Sequence, residues 1–329
     1  MFSCPSFCRR TIDVKALITG IAGFAGSYLA ELLLSDGENV AGTRLPDENL
    51  QNLKPLLSHV QLLDCDLRDV ETTNRAVAQA KPDCIYHLAA LTFIPDSVVD
   101  PRITFKINLL GTLNLLEAAR KLKNRPRVLF VGSADEYGRV KQSELPIREE
   151  NPLRPTNPYS VSKVSASMLA YEYGLNSHLH VVRVRPFNHT GPRQSPRFVC
   201  SDFARQIVEA EKGRRTPEIH VGNLRPKRDF LDVRDVVRAY RDILKGGDSC
   251  EVYNICSGAS VSVSALLEML MAYSGRELKV VESADRTRPS DVEEIRGDYG
   301  KIQKAIGWKP SIPLAKTLGD MVEYWRRNT

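Results

Sequence analysis

Tyr159 and Lys163 stand four residues apart in Tyr159-Ser-Val-Ser-Lys163, and on a helix that spacing sets a phenol and an ammonium on one face. The ammonium is then placed to stabilise a phenolate and lower a pKa that starts near ~10. A phenol tuned that way can hand a proton to a carbonyl oxygen. A surface tyrosine beside a solvated lysine has the same spacing, so the pair takes its meaning from what surrounds it. Val14-Lys-Ala-Leu-Ile-Thr19 runs into Gly20-Ile-Ala-Gly23-Phe-Ala-Gly26 and then into the amphipathic stretch 27–34. Strand, tight turn and helix in that order offer helix N-terminal amides and a dipole to a pyrophosphate. The Gly-x-x-Gly-x-x-Gly spacing is one residue longer than the usual dinucleotide fingerprint, so the rule applies by mechanism and not by letter. A glycine-rich loop in an unrelated α/β fold is the alternative.

These groups need elements to hold them. From Val14 to about Pro186 apolar strand-like runs alternate with amphipathic helical ones, which predicts an α/β fold: a Rossmann-type, doubly wound parallel sheet covered on both faces. Strands are expected at 14–19, 38–43, 60–64, 83–88, 127–132 and 179–184, and helices notably over 101–123 and 158–174. Loops at the strand ends lie along one edge, where ligands bind. Ser133 directly follows the fifth run, so the candidate groups converge on that rim. After Pro186 the prolines at 192, 196, 217, 226, 289 and 310 break the pattern into short pieces. Residues 1–186 are therefore expected to form the dinucleotide-binding unit. Residues 187–329 are expected to form mainly a smaller, discontinuous C-terminal substrate lobe, with 230–245 read as a helix and 252–255 as a strand returning to the main sheet.

The chain has 329 residues, enough for one large α/β domain or a main domain with a smaller lobe. Hydrophobic residues make up 42% and charged ones 26%, which argues against overall disorder. No apolar run approaches the ~20 residues that span a bilayer, and residues 1–11 lack the apolar core of a secretion signal, so a cytoplasmic protein is expected. The seven cysteines include no Cys-x-x-Cys pair and read as free thiols without zinc-ligand spacing. The net charge of +6 is dispersed rather than striped, which suits small anionic ligands better than nucleic acid.

Taken together, Gly20-x-x-Gly23-x-x-Gly26, Asp64-Cys-Asp66-Leu67, His87-Leu-Ala89-Ala90, Asn108, Ser133, Tyr137-Gly138 and Asn157-Pro158-Tyr159-x-x-x-Lys163 resemble the extended short-chain dehydrogenase/reductase family, whose members modify nucleotide sugars. The match runs from about residue 14 to Gly307-Trp308-Lys309-Pro310. Arg185-Pro-Phe-Asn188-His189-Thr-Gly-Pro192, Phe198-Val199, Arg228-Asp-Phe-Leu-Asp-Val-Arg-Asp235 and Tyr253-Asn-Ile-Cys-Ser-Gly258 are most similar to its GDP-mannose dehydratase and GDP-4-keto-6-deoxymannose reductase branch. The resemblance implies a cofactor cradle of Gly20, Gly23, Phe24, Ala25 and Gly26, an adenine bracketed by Asp66 and Leu67, and a cofactor path along Leu88, Ala89 and Ala90. It implies that Ser133, Tyr159 and Lys163 handle the carbonyl, with Lys163 also touching ribose. Ser133 reads equally as a hydroxyl capping the end of a strand. Substrate contacts are implied for Asn188, Val199, Arg228 and Arg288, and a homodimer is implied through helices 101–123 and 158–174. The second of these carries Val161, Val164, Met168, Leu169, Tyr171 and Tyr173 around more than one face.

Cofactor type is read at the end of the second strand, where an acidic residue would accept a ribose 2′-hydroxyl and repel a 2′-phosphate. Here Ala41-Gly-Thr-Arg44 ends in a guanidinium and Asp47 comes only after Pro46, which favours NADP(H). A solvated role for Arg44, and use of NAD(H) as well, stay open. Dehydratases of the family remove the C5 proton with a glutamate two residues after the strand-end Ser/Thr. Ser133-Ala-Asp135-Glu136-Tyr137 places Asp135 there, one methylene short for a step that demands hydrogen-bond reach. Glu136, next along an extended segment, is expected to point away. Fucose-forming epimerase/reductases carry a cysteine at that position. What remains is reduction of a 4-keto sugar, and the whole-chain resemblance implies that the substrate is GDP-4-keto-6-deoxymannose and the product GDP-D-rhamnose. GDP-mannose 4,6-dehydratase, a related epimerase, or an NADP-binding regulatory protein are the alternatives, and the joint presence of Ser133, Tyr159 and Lys163 argues against the last.

Overall fold

Period-two burial organises the main sheet. In Lys15-Ala-Leu-Ile-Thr19, Ala16 and Ile18 face one core while Leu17 faces the other, as alternating side chains of a strand must. The computed structural model describes residues 14–283 and 292–329, so Arg288 lies outside the described residues. Strands β1 Lys15–Thr19, β2 Asn39–Arg44, β3 Val60–Asp64, β4 Cys84–His87, β5 Arg127–Val131 and β6 Val181–Pro186 lie close to the expected runs. They are followed by β7 Asn188–Thr190, β8 Glu218–Val221, β9 Lys227–Asp232, β10 Val252–Ile255, β11 Ser260–Ser262, β12 Lys279–Glu282 and β13 Glu294–Ile295. Among the described residues, seven parallel strands form the main sheet in the order β10-β6-β5-β4-β1-β2-β3. The order reverses between β1 and β4, and the crevice at their C-terminal ends is where such sheets bind ligands.

The first helices are α1 Phe24–Ser35, α2 Val70–Ala80, α3 Ile94–Val99, α4 Pro101–Phe105, α5 Gly111–Arg120 and α6 Pro158–Asn176. They are followed by α7 Val199–Glu211, α8 Val233–Gly246, α9 Val263–Met271, α10 Gly300–Ile306 and α11 Leu314–Asn328. Leu29 and Leu33 of α1 and Val236 and Ile243 of α8 cover one face of the sheet. Val77 of α2, Leu115 and Leu116 of α5, and Ala166 and Ala170 of α6 cover the other. The expected helix at 101–123 is not a single α-helix: a π-helical turn, Lys106–Leu110, separates α4 from α5. It buries Asn108, whose side chain has polar work to do inside.

The C-terminal half departs further from expectation. Phe230–Asp232 belongs to β9, and the helix read from 230 begins at Val233, where Asp232 accepts from the Arg234 amide at 2.7 Å and caps it. Phe230 and Leu231 enter two different cores, which a strand allows. The stretch read as short broken pieces contains three amphipathic helices, α7, α9 and α11, packed into a third core with Phe203, Ile207, Leu266, Leu270, Leu318 and Met321. Among the described residues these prolines lie between elements rather than inside them: Pro196 precedes α7, Pro217 precedes β8 and Pro226 precedes β9. Strands β11, β9 and β13 form a second sheet, to which β7 adds by pairing with β9.

The loop after β5 is held by a close backbone approach at Gly138, which has φ +56°, and a Cβ there would come 1.8 Å from the Arg154 carbonyl oxygen. Gly138→Ala should therefore destabilise the fold by about 3 kcal/mol through left-handed strain and the clash together. Gly275→Ala, where a Cβ meets nothing within 4 Å, should change stability by less than about 0.5 kcal/mol. Equal midpoints in urea for the two variants would refute this account of the loop.

Candidate active site

β5 stops at Val131, and Gly132 keeps the pairing alive for one more step by donating to Val184 O at 2.8 Å. Ser133 then caps a single 3-10 turn, Ala134–Glu136, its Oγ accepting from the Asp135 amide at 3.1 Å. Glu136 folds back within that turn, accepting from Ser133 N at 2.9 Å and from Arg185 Nε at 2.8 Å, with the two side chains 0% and 4% exposed. It points away from the cleft as expected, but for a different reason: the segment is helical rather than extended, and the turn delivers the carboxylate to a buried guanidinium. Arg185 also donates to Tyr137 Oη at 3.1 Å, and Tyr137 donates to Asn254 Oδ1 of β10 at 2.7 Å. Ser133 thus caps and faces the cleft at once.

α6 begins at Asn157, which accepts from Ser160 N at 2.8 Å, with Pro158 in the first helical position where its missing amide is harmless. Tyr159 and Lys163 lie on one face, each 6% exposed, and line the same cleft as Ser133 and Asp135. Lys163 Nζ donates to Val131 O at 2.5 Å and sits 5.0 Å from the Phe130 ring centroid. Burial pulls this ammonium down to about 8. The phenol moves the opposite way from the sequence expectation. Burial raises the Tyr159 pKa well above its ordinary value, the Asp135 carboxylate adds to the rise, and the Ser133 hydroxyl opposes it. The lysine is engaged with a backbone carbonyl while the phenol is buried beside an acid, so Tyr159 keeps its proton at neutral pH. That is the state required of a proton donor.

Behind these groups runs a buried polar chain. Ala89 N donates to Thr19 Oγ1 at 3.1 Å, Thr19 meets His87 Nδ1 at 2.8 Å, and His87 Nε2 meets Thr112 Oγ1 at 2.8 Å. Thr112 donates to Asn108 O at 2.6 Å. Burial first, then the nearby Lys163 charge, push His87 down to about 3, so it holds this chain as a neutral ring. Asn108 Oδ1 accepts from Leu91 N at 2.8 Å, and its Nδ2 donates to Leu91 O at 3.1 Å and to Ser162 Oγ at 2.9 Å. The π turn therefore ties the loop after β4 to the helix of Tyr159.

The cleft measures about 640 Å³, within the range of small-molecule sites. Its lining brings together Gly20, Gly23, Phe24, Ala25 and Gly26 with Arg44, Asp66 and Leu67, and with Leu88, Ala89 and Ala90. Asn188 and Val199 line it as well. Arg228 is not part of the lining, but its charge acts on the Asp135 carboxyl, which burial raises and Arg228 and Ser133 lower. Sequence reasoning passed over Glu48, Arg68, Thr92, His189, Gln194 and Phe198, which also line the cleft. His189 sits inside a motif already quoted and stacks on Phe24 with ring centroids 6.0 Å apart, whereas Glu48 and Arg68 face inward only because of turns that carry no strong sequence signal.

The residues present fit a dinucleotide. α1 enters from Gly23 with no side-chain cap and no acidic residue in its first turn, leaving amides and dipole for a pyrophosphate. Gly20 has φ +71°, and a Cβ on Gly26 would come 2.2 Å from Gly20 O, so the cradle admits only glycine at these two points. Tyr159 and Lys163 stand further along the same cleft, where the reactive end would lie.

A family profile described as GDP-mannose 4,6 dehydratase matches residues 17–321. The chain is 36% identical over 312 residues to a protein named GDP-6-deoxy-D-mannose reductase from Pseudomonas aeruginosa, covering 94% of this chain and 97% of the relative. It is 30% identical over 348 residues to GDP-mannose 4,6-dehydratase of Yersinia enterocolitica, covering 94% and 92%. A solved structure described as RMD from Pseudomonas aeruginosa complexed with NADPH superposes with a TM-score of 0.85 at 33% identity, covering 96% of this chain and all of that one. With these matches spanning nearly its whole length, the chain belongs to the GDP-mannose 4,6-dehydratase family.

Proposed function

We propose that this protein is an oxidoreductase that reduces the 4-keto group of GDP-4-keto-6-deoxy-D-mannose to give GDP-D-rhamnose. The observation that carries the reading is the pairing of a protonated, buried Tyr159 beside Ser133 with a shortened acid, Asp135, at the position of the dehydratase base. NADPH, when bound, supplies the hydride. Ser133 hydrogen-bonds the carbonyl oxygen, Tyr159 delivers the proton as negative charge develops there, and Lys163 stabilises the phenolate left behind. The amides of α1 hold the pyrophosphate, Arg44 and Arg68 flank the adenosine end, and Asn188, Val199, Arg228 and Arg288 hold the nucleotide sugar. The reading as GDP-mannose 4,6-dehydratase is favoured by one observation: Asp135 lines the cleft with its carboxyl raised by burial, as a base would need.

The readings separate in one assay. Supplied with NADPH and GDP-4-keto-6-deoxymannose, the protein should yield GDP-D-rhamnose by NMR, and supplied with GDP-mannose alone it should make no keto sugar. Accumulation of keto sugar from GDP-mannose without reduced cofactor would decide for the dehydratase. In the same assay Tyr159→Phe should lower turnover by ~10² to 10⁴ with NADPH affinity unchanged, and wild-type turnover in that variant would remove the phenol from the mechanism.

Arg228 acts on the cleft through its charge on Asp135, and we place it at the substrate's diphosphate. Arg228→Ala should raise the Michaelis constant for the sugar nucleotide about tenfold, the size of one lost charge-assisted contact, and leave NADPH binding alone. An unchanged constant would reject that placement.

We further propose a cytoplasmic homodimer. Among the described residues no helix is long and apolar enough to cross a membrane, and Cys65, Cys84, Cys200, Cys250 and Cys256 are free thiols, as a reducing compartment favours. α6 leaves Val161, Met168, Tyr171 and Leu175 exposed, and Val98, Val99 and Leu110 are exposed on the neighbouring α3 and the π turn. A self-complementary two-fold contact would cover them. Light scattering at micromolar concentration should give twice the chain mass, and a monomer with full activity would exclude the dimer.

A further inference from the structure

At the adenosine end of the cleft the cations are matched one for one by carboxylates of the lining, Arg44 and Arg68 against Glu48 and Asp66. Arg44 and Arg68 line it, and both are already paired. Arg44 Nε donates to Asp64 Oδ1 at 2.9 Å, and Arg68 forks onto Asp66 with Nε at 2.9 Å from both oxygens and Nη2 at 2.5 Å. Glu48 is a third carboxylate in this region, and it lines the cleft with Thr43, Arg44 and Leu45. Asp47, the first acid after β2 in sequence, is exposed and is not part of the lining. A tight turn explains the exchange: Glu48 N donates to Leu45 O at 3.1 Å, and Leu45 N donates to Glu48 Oε2 at 3.1 Å. Pro46 and Asp47 are thereby thrown outward and Glu48 returns to the end of β2. Its carboxyl is raised by burial and lowered by the Leu45 amide and by Arg44, so the guanidinium feels it.

We propose that Glu48 sets cofactor choice in this cleft, accepting the ribose 2′-hydroxyl of NADH and opposing the hold of Arg44 on the 2′-phosphate of NADPH, so that the chain binds both. The proposal rests on the reading that this cleft holds a nicotinamide dinucleotide. A carboxylate accepts through two oxygens with about four lone-pair positions, and the Leu45 amide occupies one of them. A 2′-phosphate brings about −1.5 to −2 charges to a place where two cations face two carboxylates of the lining and Arg44 is also held by Asp64 from outside it. Arg44 alone therefore overstates the preference for NADPH, because the acid expected at the end of a dinucleotide-binding second strand is present, displaced four residues along the chain and folded back.

Dissociation constants for NADPH and NADH, measured by quenching of protein fluorescence at fixed ionic strength, test this without catalysis. Glu48→Gln keeps an acceptor for Leu45 N, so the turn persists, and thermal unfolding of the variant checks that it does. The variant should bind NADPH about tenfold more tightly, the size of one like charge removed at close range in a half-exposed site, and NADH within about threefold of wild type. Glu48→Ala should tighten NADPH similarly and weaken NADH about fivefold, as one acceptor is lost, while Asp47→Asn should leave both unchanged. An NADPH to NADH affinity ratio that Glu48→Gln does not move would overturn the role of Glu48 and leave the cofactor reading standing. A wild-type protein that binds neither nucleotide would overturn both.

Discussion

The buried pair of Glu136 and Arg185 is the constraint on which the site depends. Removing both charges from water is costly, and the arrangement is tenable because nearly every polar atom around it is used. Glu136 accepts from Ser133 N and Arg185 Nε, and Arg185 reaches Tyr137 Oη and Glu149 O. Tyr137 passes the connection to Asn254, which in turn donates to Ile147 O at 3.0 Å. Three parallel strands, β5, β6 and β10, are thereby fixed relative to the one turn that presents Ser133 and Asp135. Gly132 is demanded by the same arrangement, because a Cβ there would lie 2.2 Å from Glu136 Oε1.

A second polar core, uncharged, does for α6 what the ion pair does for the turn. Thr19, His87, Thr112, Asn108 and Ser162 join β1, β4, the π turn and α6 through consecutive hydrogen bonds. Keeping His87 neutral is what lets the chain run beside Lys163 without a second positive charge. The π turn is explained by this wiring: an extra residue in the helical turn lets Asn108 point inward and bond both the amide and the carbonyl of Leu91. Tyr159 and Ser133 are thus positioned by two networks, one charged and one uncharged, that converge on the cleft from different elements.

The parts of the fold legible in the sequence were those governed by short-range periodicity. The six N-terminal strands alternate between two cores, and the glycine turn is dictated by φ at Gly20 and by the approach of Gly26 to Gly20 O, so both leave a local signature. Where tertiary contacts decide, the sequence spoke less clearly. Phe230 and Leu231 look helical beside Val233–Gly246, yet Asp232 caps the helix after them and sends them to different cores. α7, α9 and α11 were hidden because prolines in the connections dominated the pattern. Within the site, residue types were readable and their energetics were not: Tyr-x-x-x-Lys announces a tuned phenol, but the sign of the tuning depends on burial and on Asp135, which no spacing encodes.

That sign bears on the state in which the cleft waits. A phenol held protonated is ready to donate to a developing alkoxide, and the same group once deprotonated would take that proton back in the reverse reaction. Asp135 contributes to that state through its charge on Tyr159, and Arg228 from β9 moderates Asp135. β9 pairs with β7 and with β11 and β13, so the strand that delivers Arg228 also orders the segment carrying Asn188. A diphosphate drawn to Arg228 would compete with Asp135 for that guanidinium and push the Asp135 carboxyl further up, toward its neutral acid, which relieves its effect on the phenol. Filling the lobe with an anionic nucleotide sugar and the proton affinity of Tyr159 are then joined by one electrostatic linkage, running from β9 through Asp135 to the reacting oxygen.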